Sequence, residues 1–147
     1  MIRRIRESDR DDFLRLSEMF YSSSAVLHKV PTEYHVRAFD ELMGSDAYLI
    51  GYIIELEQKI AGYVLLVKSY SREAGGPCLW LDEIFIIPEM QGRGLGREFF
   101  EYLNTSPEFA MYARIRLETE PDNEKARALY SRMGFRDLPY LQMIKGQ

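Results

Sequence analysis

The sequence predicts an α/β protein with a mixed β-sheet covered by helices, and three observations support this fold class. Two runs rich in β-branched and aromatic residues, 47–57 and 59–71, have the pattern of a β-hairpin. A third apolar run, 78–87, precedes three alternating glycines and an amphipathic stretch, which is a strand–turn–helix pattern. A strand-like and a helix-like segment then follow. The predicted element order, α-α-β-β-β-α-β-α-β, places helices and strands in one packed unit.

Two helices are predicted before the hairpin. Residues 8–11, SDRD, suit the capped start of the first helix, in which Phe13, Leu16 and Phe20 recur at helical spacing. A polar loop follows, and the second helix spans 32–44, where the closing glycine suits the left-handed position after a helix. The apolar faces of both helices are expected to cover the sheet.

The second half of the chain alternates strands and helices. The strand 78–87 leads through the glycines into a helix over 94–103. Residues 113–120 alternate strictly between apolar and polar, as a half-exposed strand does. The stretch 122–133 has helical spacing, and 135–145 is predicted to close the sheet as one bent strand or two short ones.

Composition narrows the class of protein. With 147 residues, we expect a single domain over residues 1–147, and 46% hydrophobic with 29% charged residues is typical of globular proteins. The net charge of −4 argues against a nucleic-acid partner. Because no apolar run approaches membrane-spanning length and the N-terminus lacks the apolar middle of a secretory signal, we expect a cytoplasmic protein without a membrane partner.

Cysteine and histidine are scarce. Cys78 is the only cysteine, so an intrachain disulfide and a cysteine-rich metal site are both excluded. The two histidines, His28 and His35, form no metal-ligand pattern with nearby carboxylates. We therefore expect no metal.

The glycine-rich segment Gln91–Arg97 carries the main chemical signal. It lacks the Lys-Ser or Lys-Thr pair of a P-loop and the G-x-G-x-x-G spacing of a dinucleotide fingerprint. A strand–turn–helix of this kind points unpaired N–H groups and the positive end of a helix dipole at one spot, which suits a pyrophosphate. From this segment alone, a tight turn that only packs the helix against the sheet is about as well supported as a pyrophosphate site.

Two motifs together resemble the GNAT N-acetyltransferase superfamily. Its central motif, Arg/Gln-x-x-Gly-x-Gly/Ala, is matched by Gln91, Gly94 and Gly96. Its second signature, Asn-x-x-Ala-x-x-x-Tyr-x-x-x-Gly-Phe, is matched by Asn123, Ala126, Tyr130, Gly134 and Phe135. The resemblance extends over essentially the whole chain. It implies a sheet of six to seven mixed strands flanked by about four helices, with a splay between the strands before and after the glycine-loop helix.

The resemblance also implies acetyl-CoA as the acyl donor, without a metal. In the family the donor lies in the splay, so the main chain at Phe85 and Ile86 is expected to bond the pantetheine arm, and the amides from Gly92 to Arg97 the pyrophosphate. The full set of expected cofactor-binding residues is Phe85, Ile86, Gln91, Gly92, Arg93, Gly94, Leu95, Gly96, Arg97, Asn123, Ala126 and Tyr130.

Three side chains are candidates for the chemistry. Tyr130 lies two helical turns after the start of its helix and is expected to protonate the departing thiolate. Asp82 and Glu83 are adjacent, so a regular strand sends them to opposite faces, and a bulge would change that phase. We favour Asp82 as the substrate-facing acid, with Glu83 or a water as the alternative base. Direct attack is favoured over a route through Cys78, which has no histidine nearby in the sequence.

The acceptor site of the family is built from the first two helices and the strand beside the thioester. Expected substrate-binding residues are therefore Tyr21, His28, Tyr34, Trp80 and Asp82. The predicted function is acetyl transfer to a primary amine of a small molecule or peptide. A non-catalytic acyl-CoA sensor is the alternative, and a homodimer is left open.

Overall fold

A computed structural model describes residues 1–146 of the chain. Within them the chain forms five strands and four α-helices. The strands are β1 Ile2–Arg4, β2 Leu49–Leu56, β3 Lys59–Ser71, β4 Gly76–Ile86 and β5 Arg114–Leu117. The helices are α1 Arg10–Tyr21, α2 Thr32–Gly44, α3 Leu95–Thr105 and α4 Glu124–Arg132. None of these helices combines the length and apolar character needed to cross a bilayer.

The strands form one mixed sheet in the order β1-β2-β3-β4-β5. Neighbouring strands are antiparallel from β1 to β4, whereas β4 and β5 are parallel. The mixed α/β class and the four helices confirm the prediction. The hairpin is confirmed as well, and its turn residues Glu57 and Gln58 both have positive φ, as a tight two-residue turn requires.

The strand count differs from the prediction at both ends of the chain. The short strand β1 was not predicted, because three residues with two arginines give almost no pattern. The strand predicted over 135–145 is wrong, since the described residues after α4 form no strand. Pro139 lacks the N–H that a ladder needs, and Leu141 and Met143 are 97% and 94% exposed. The sheet therefore has five strands rather than six or seven.

Helices cover the sheet on both faces and create two apolar cores. On one face, α1 and α2 pack on β2, β3 and β4 through Phe13, Leu16 and Phe39. On the other face, α3 contributes Leu95, Phe99, Phe100 and Leu103, and α4 adds only partly buried contacts: Leu129, Tyr130 and Met133. Helices α1 and α2 cover one face of the sheet, and α3 covers the other. Side chains of β4 therefore alternate between two different environments.

A bulge interrupts the pairing of β3 with β4. Leu65 pairs with Glu83 and Leu66 pairs with Leu81, which leaves Asp82 as an extra residue on β4. Residues that pair directly in a sheet share a face. The extra residue of a bulge breaks the alternation, so its side chain and the next one lie on the same face. The bulge therefore decides which way the two acidic side chains point.

Strands β4 and β5 separate after a short parallel pairing. Their ladder runs from Cys78–Arg114 to Leu81–Leu117 and ends there, while β4 continues to Ile86. Five residues of β4, or roughly 16 Å of strand, thus extend beyond the last β5 partner. The unpaired edge of β4 lies where the resemblance implied a splay.

An ion-pair cluster ties the first strand to the first helix. The Arg3 guanidinium donates to both carboxylate oxygens of Asp9, at 2.7 and 2.9 Å, and to Glu55 on β2 at 2.7 Å. Asp9 is 5% exposed and also accepts the backbone N–H of Arg6 at 2.8 Å. The guanidinium holds the pKa of Asp9 below its usual range.

Candidate active site

Glu83 is a buried carboxylate held by two tyrosines. It is 8% exposed, and it accepts hydrogen bonds from the Tyr21 hydroxyl at 2.7 Å and from the Tyr63 hydroxyl at 2.5 Å. Burial raises the pKa of Glu83, while the two hydroxyls oppose that rise by stabilising the ionised form. Burial also raises the pKa values of both tyrosines, so both remain protonated donors. A carboxyl with a raised pKa suits a general base.

Asp82 points to the same face of the sheet as Glu83. Glu83 pairs with Leu65 and Trp80 pairs with Val67, and these β3 residues are two apart on one face. Asp82 lines an open depression of about 240 Å³ with Trp80, Val67, Glu118 and Gln142. The expectation that the two acids point to opposite faces is therefore wrong, because the bulge at Asp82 shifts the phase of the strand.

The depression around Asp82 is acidic and aromatic. Asp82 is exposed, and its pKa is raised, first by the protein surrounding the carboxyl and then by the negative charge of Glu118. The Arg116 guanidinium stacks over the Trp80 ring at 4.2 Å from its centre. The two carboxylates attract cations, and Arg116 already occupies one position over the ring.

A cavity of about 90 Å³ lies between α1, α2 and Glu83. Its polar lining comprises Ser17 and Tyr21 on α1, Tyr34 and His35 on α2, and Glu83. Ser17 and His35 are 2% and 4% exposed. Within residues 1–146, neither Ser17 Oγ nor His35 Nε2 has a hydrogen-bond partner. Buried polar groups rarely lack partners, so this cavity is a place where a polar guest is expected.

The glycine loop leaves a row of backbone N–H groups unpaired. Gly92 and Gly94 have φ values of +75° and +82°, a conformation that side chains disfavour, and Gly94 caps α3. Backbone hydrogen bonds within the described chain stop at the Gln91 N–H and resume at the Glu98 N–H, which donates to Gly94 O at 2.9 Å. The N–H groups of residues 92–97 are therefore unpaired, and those from Leu95 onward belong to the first turn of α3, where the dipole favours an anion.

Side chains around this loop have structural partners of their own. Gln91 Nε2 donates to Ile86 O at 3.0 Å and so fixes the loop to the end of β4. Arg97 forms an ion pair with Glu101 at 2.8 Å, and both side chains are exposed. Gly96 faces α4, where an added Cβ would meet Leu129 at 3.6 Å. The positive charge near the loop is thus partly balanced, and its anion-binding capacity rests on the backbone.

Helix α4 begins at a side-chain cap and carries Tyr130. Asn123 Oδ1 accepts the Ala126 N–H at 3.2 Å, which is an N-cap contact. Tyr130 packs edge-on against Phe100 and Phe135, with ring centres 5.7 and 6.1 Å apart. Burial raises the pKa of Tyr130, so its hydroxyl stays protonated at neutral pH.

Comparison with known families identifies this fold. The model of the acetyltransferase (GNAT) family matches residues 5–135. The chain belongs to the GNAT acetyltransferase family. No curated protein matches the chain.

Solved structures share this GNAT acetyltransferase fold. An integron cassette protein from the mobile metagenome of Cole Harbour Salt Marsh is 25% identical, with a TM-score of 0.79 over 99% of this chain and 88% of that one. A possible acetyltransferase from Clostridium difficile 630 is 15% identical, with a TM-score of 0.83 over 100% and 97%. AAC(6')-Iy in complex with the bisubstrate analogue CoA-S-monomethyl-acetylneamine is 15% identical, with a TM-score of 0.81 over 100% and 97%.

In this GNAT acetyltransferase, the residues expected around the acceptor divide into three groups. Tyr21 and Tyr34 line the cavity beside Glu83, whereas Trp80 and Asp82 line the open depression. His28 is exposed and, in the described part of the chain, lines neither of them. His28 is therefore not brought to the site.

Four residues of the GNAT site were not predicted. Ser17, His35 and Tyr63 lie around Glu83, and Glu118 lies beside Asp82. His35 had a usable signal, because it precedes the buried Phe39 by one helical turn on the apolar face of α2. Tyr63 had no such sequence signal, because a tyrosine in an apolar strand is ordinarily a core residue.

The described residues include one cysteine and few possible metal ligands close together. No group of three or more His, Cys, Asp or Glu side chains is close enough to hold a metal ion within residues 1–146. Cys78 is 1% exposed, and its Sγ contacts the Leu79 carbonyl at 3.8 Å. A buried thiol of this kind behaves as a small apolar side chain.

Proposed function

We propose that this GNAT acetyltransferase transfers the acetyl group of acetyl-CoA to a primary amine of a small molecule or peptide, by direct attack of the amine. The observation that carries the proposal is the position of Glu83. Its carboxylate is buried, oriented by two hydroxyls, and attached to the part of β4 that has no β5 partner. In the proposed site, Glu83 would be a proton acceptor beside the thioester that the family's splay admits.

The residues present fit acetyl-CoA. The unpaired N–H groups of residues 92–97 suit the pyrophosphate, because they donate without requiring an excess of positive charge. Beyond Leu81, β4 has no β5 partner, so the main chain at Ile86 is open to the pantetheine amides on that edge, whereas the Phe85 carbonyl points to Gly62 on β3. The Ile86 carbonyl already accepts from Gln91, so its remaining lone pair and the neighbouring groups would hold the arm. Asn123 keeps its amide NH₂ free of the capping contact.

The proposed chemistry assigns one task to each side chain. Acetyl-CoA, when bound, supplies the acetyl group as a thioester with a thiolate leaving group. Glu83 takes a proton from the acceptor ammonium, which leaves a neutral amine able to attack. Main-chain N–H groups of β4 stabilise negative charge on the carbonyl oxygen. Tyr130 holds the proton that the sulfur receives.

The depression around Asp82 supports a cationic acceptor. Asp82 and Glu118 add negative charge beside Trp80, so a second ammonium or guanidinium group of the acceptor would be attracted there. One structural neighbour was solved with an analogue that joins CoA to acetylneamine. We therefore assign Asp82 to acceptor binding and Glu83 to proton transfer.

The test is release of CoA thiol from acetyl-CoA in the presence of a panel of amines, with di- and polyamines set against monoamines. We expect release with at least one primary amine and a lower KM for those with two cationic groups. The alternative, a sensor that binds acyl-CoA without turnover, predicts a thermal shift with CoA and no thiol release. A chain that shows neither result would contradict both functions.

A further inference from the structure

One polar side chain lines the cavity beside Glu83 without making a hydrogen bond. Ser17 lies on α1, it is 2% exposed, and among residues 1–146 its Oγ has no hydrogen-bond partner. The His35 imidazole, by contrast, has its Nε2 at 3.3 Å from Glu18 Oε2. A buried hydroxyl that makes no hydrogen bond is uncommon in folded proteins and destabilises them. Ser17 therefore indicates that a polar group occupies this cavity in the functional complex.

The cavity adjoins the carboxylate that the proposed reaction uses. Glu83 lines it, and each of its oxygens accepts one hydroxyl, from Tyr21 at 2.7 Å and from Tyr63 at 2.5 Å. A carboxylate has about four lone-pair sites, so Glu83 keeps the capacity to bind an acceptor amine. An amine bonded to Glu83 thus brings its own carbon atoms to the cavity.

The volume of the cavity limits what can enter it. At about 90 Å³ it accommodates roughly three water-sized groups, since a water molecule occupies about 30 Å³ of the liquid. A methylene and a hydroxyl are each similar in size to a water molecule. Two carbon atoms and one hydroxyl beyond the amine therefore match the space, and a longer chain exceeds it.

The lining of the cavity favours an uncharged polar group. Its apolar residues are Phe13, Val30, Ala38 and Leu65. The described lining includes no lysine or arginine. A second carboxylate in this space would lie beside Glu83 without a cation to compensate its charge. A hydroxyl carries no charge, and it can donate to Ser17 Oγ or accept from it.

We propose that the acceptor of this acetyltransferase is a small primary amine with a hydroxyl group on the carbon next to the amine-bearing carbon, and that Ser17 selects it by hydrogen bonding this hydroxyl. The amine lies at Glu83, and the two carbons and the hydroxyl occupy the cavity. Ser17 takes no part in proton transfer, so it is a specificity-determining residue. This inference rests on the proposed acetyl transfer, because it names the acceptor of that reaction.

The first experiment compares 2-aminoethanol with propylamine, which has a methyl group in place of the hydroxyl. We expect wild-type kcat/KM to be about tenfold or more higher for 2-aminoethanol, because the methyl group leaves Ser17 without a partner. In Ser17→Ala this preference should fall by about the same factor, whereas in Ser45→Ala, an exposed control, it should not change. The change between variants does not depend on the different basicities of the two amines. An equal preference in the wild type and S17A would overturn the proposal.

The second experiment tests the volume of the cavity. Ala38→Val fills part of the cavity without changing a polar group. It should lower kcat/KM for 2-aminoethanol about tenfold, whereas methylamine, which does not extend into the cavity, should keep its wild-type value. In the wild type, 3-aminopropanol should be a poorer acceptor than 2-aminoethanol by a similar factor, because its extra methylene exceeds the space. Equal effects of A38V on 2-aminoethanol and methylamine would contradict the assignment of the cavity.

A readout without turnover separates this inference from acetyl transfer itself. Crystals of the wild-type chain soaked with CoA and 2-aminoethanol should show the hydroxyl oxygen about 3 Å from Ser17 Oγ, with the nitrogen at Glu83. A hydroxyl that points out of the cavity would overturn the inference, even where thiol release demonstrates acetyl transfer. If no amine gives thiol release but the hydroxyl is bound at Ser17, acetyl transfer fails and the cavity remains an amino-alcohol site.

Discussion

At the scale of single residues, two hydroxyl groups determine how Glu83 behaves. Burial alone favours the protonated carboxyl, which cannot accept a proton. The bonds from Tyr21 and Tyr63 favour the ionised form, which can. The pKa of Glu83 therefore depends on both effects, and the loss of either tyrosine hydroxyl should raise it.

Removal of either hydroxyl should move the acid side of the pH profile. In Tyr63→Phe or Tyr21→Phe the ionised carboxylate loses a donor, so the pKa of Glu83 rises further and the ionised fraction falls at low pH. We expect kcat/KM to drop more at pH 6 than at pH 8, with the acid limb at higher pH than in the wild type. Tyr70→Phe, at a position 71% exposed, is the control. An unmoved limb would mean that Glu83 is not the titrating base.

Tyr130→Phe tests the proton donor. Loss of the hydroxyl should lower kcat by about 100-fold, because general acid catalysis contributes at least that much. The dissociation constant for acetyl-CoA should stay unchanged, since the ring keeps its contacts with Phe100 and Phe135. Calorimetry and initial rates measure the two quantities, with Tyr140→Phe on the exposed tail as control. Unchanged turnover would remove Tyr130 from the chemistry.

Residue identities could be predicted only where a motif fixes them. Gln91, Gly94, Asn123 and Tyr130 occupy the positions that the two family signatures assign to them. Ser17, His35 and Tyr63 belong to no motif, and only the packing of α1 and α2 on the sheet brings them to Glu83. The helical spacing from Phe39 indicates that His35 is buried, but no local pattern shows that it lies beside Glu83.

At the scale of elements, the glycine loop depends on one left-handed residue. Gly94→Ala puts a Cβ into open space at a φ of +82°, so its cost is backbone strain of about 1–2 kcal/mol. We expect a lower melting temperature and a smaller stabilisation by added CoA. Gly44→Ala, also in open space but without positive φ, should not lower the melting temperature and should leave the stabilisation by CoA unchanged. Full stabilisation of G94A by CoA would show that the loop does not need this conformation.

The ion pair between Arg3 on β1 and Asp9, just before α1, predicts that the free energy of unfolding depends on pH. Asp9→Asn keeps the size of the side chain but loses the charge that Arg3 holds, at a cost of about 1.5 kcal/mol. The folded-state pKa of Asp9 is depressed, so its contribution is complete above its ordinary value of 3.8 and is lost as the pH falls below it. Urea unfolding should therefore separate wild type from D9N at pH 6 and bring them together in acid. A constant difference would exclude the ion pair as its source.

At the scale of the whole molecule, the order of elements and the splay could be predicted, and the ends of the sheet could not. Periodicity identifies long strands such as β3, whereas β1 has three residues and takes its place only by pairing with β2. The segment after α4 has strand-like composition but no partner within the described residues. A homodimer stays a prediction, for which the exposed Leu141 and Met143 offer apolar surface. The cytoplasmic location also stays a prediction.

Because Asp82 is the extra residue in β4, it can be changed independently of Glu83. Since Leu65 and Leu66 pair with Glu83 and Leu81 regardless of what stands between these two, excision of Asp82 would restore a plain ladder without turning either neighbour. Recognition of the acceptor could thus diversify at residue 82 over generations while the proton-accepting machinery stays in register. The side chain at position 82 can therefore change without altering the pairing that orients Glu83.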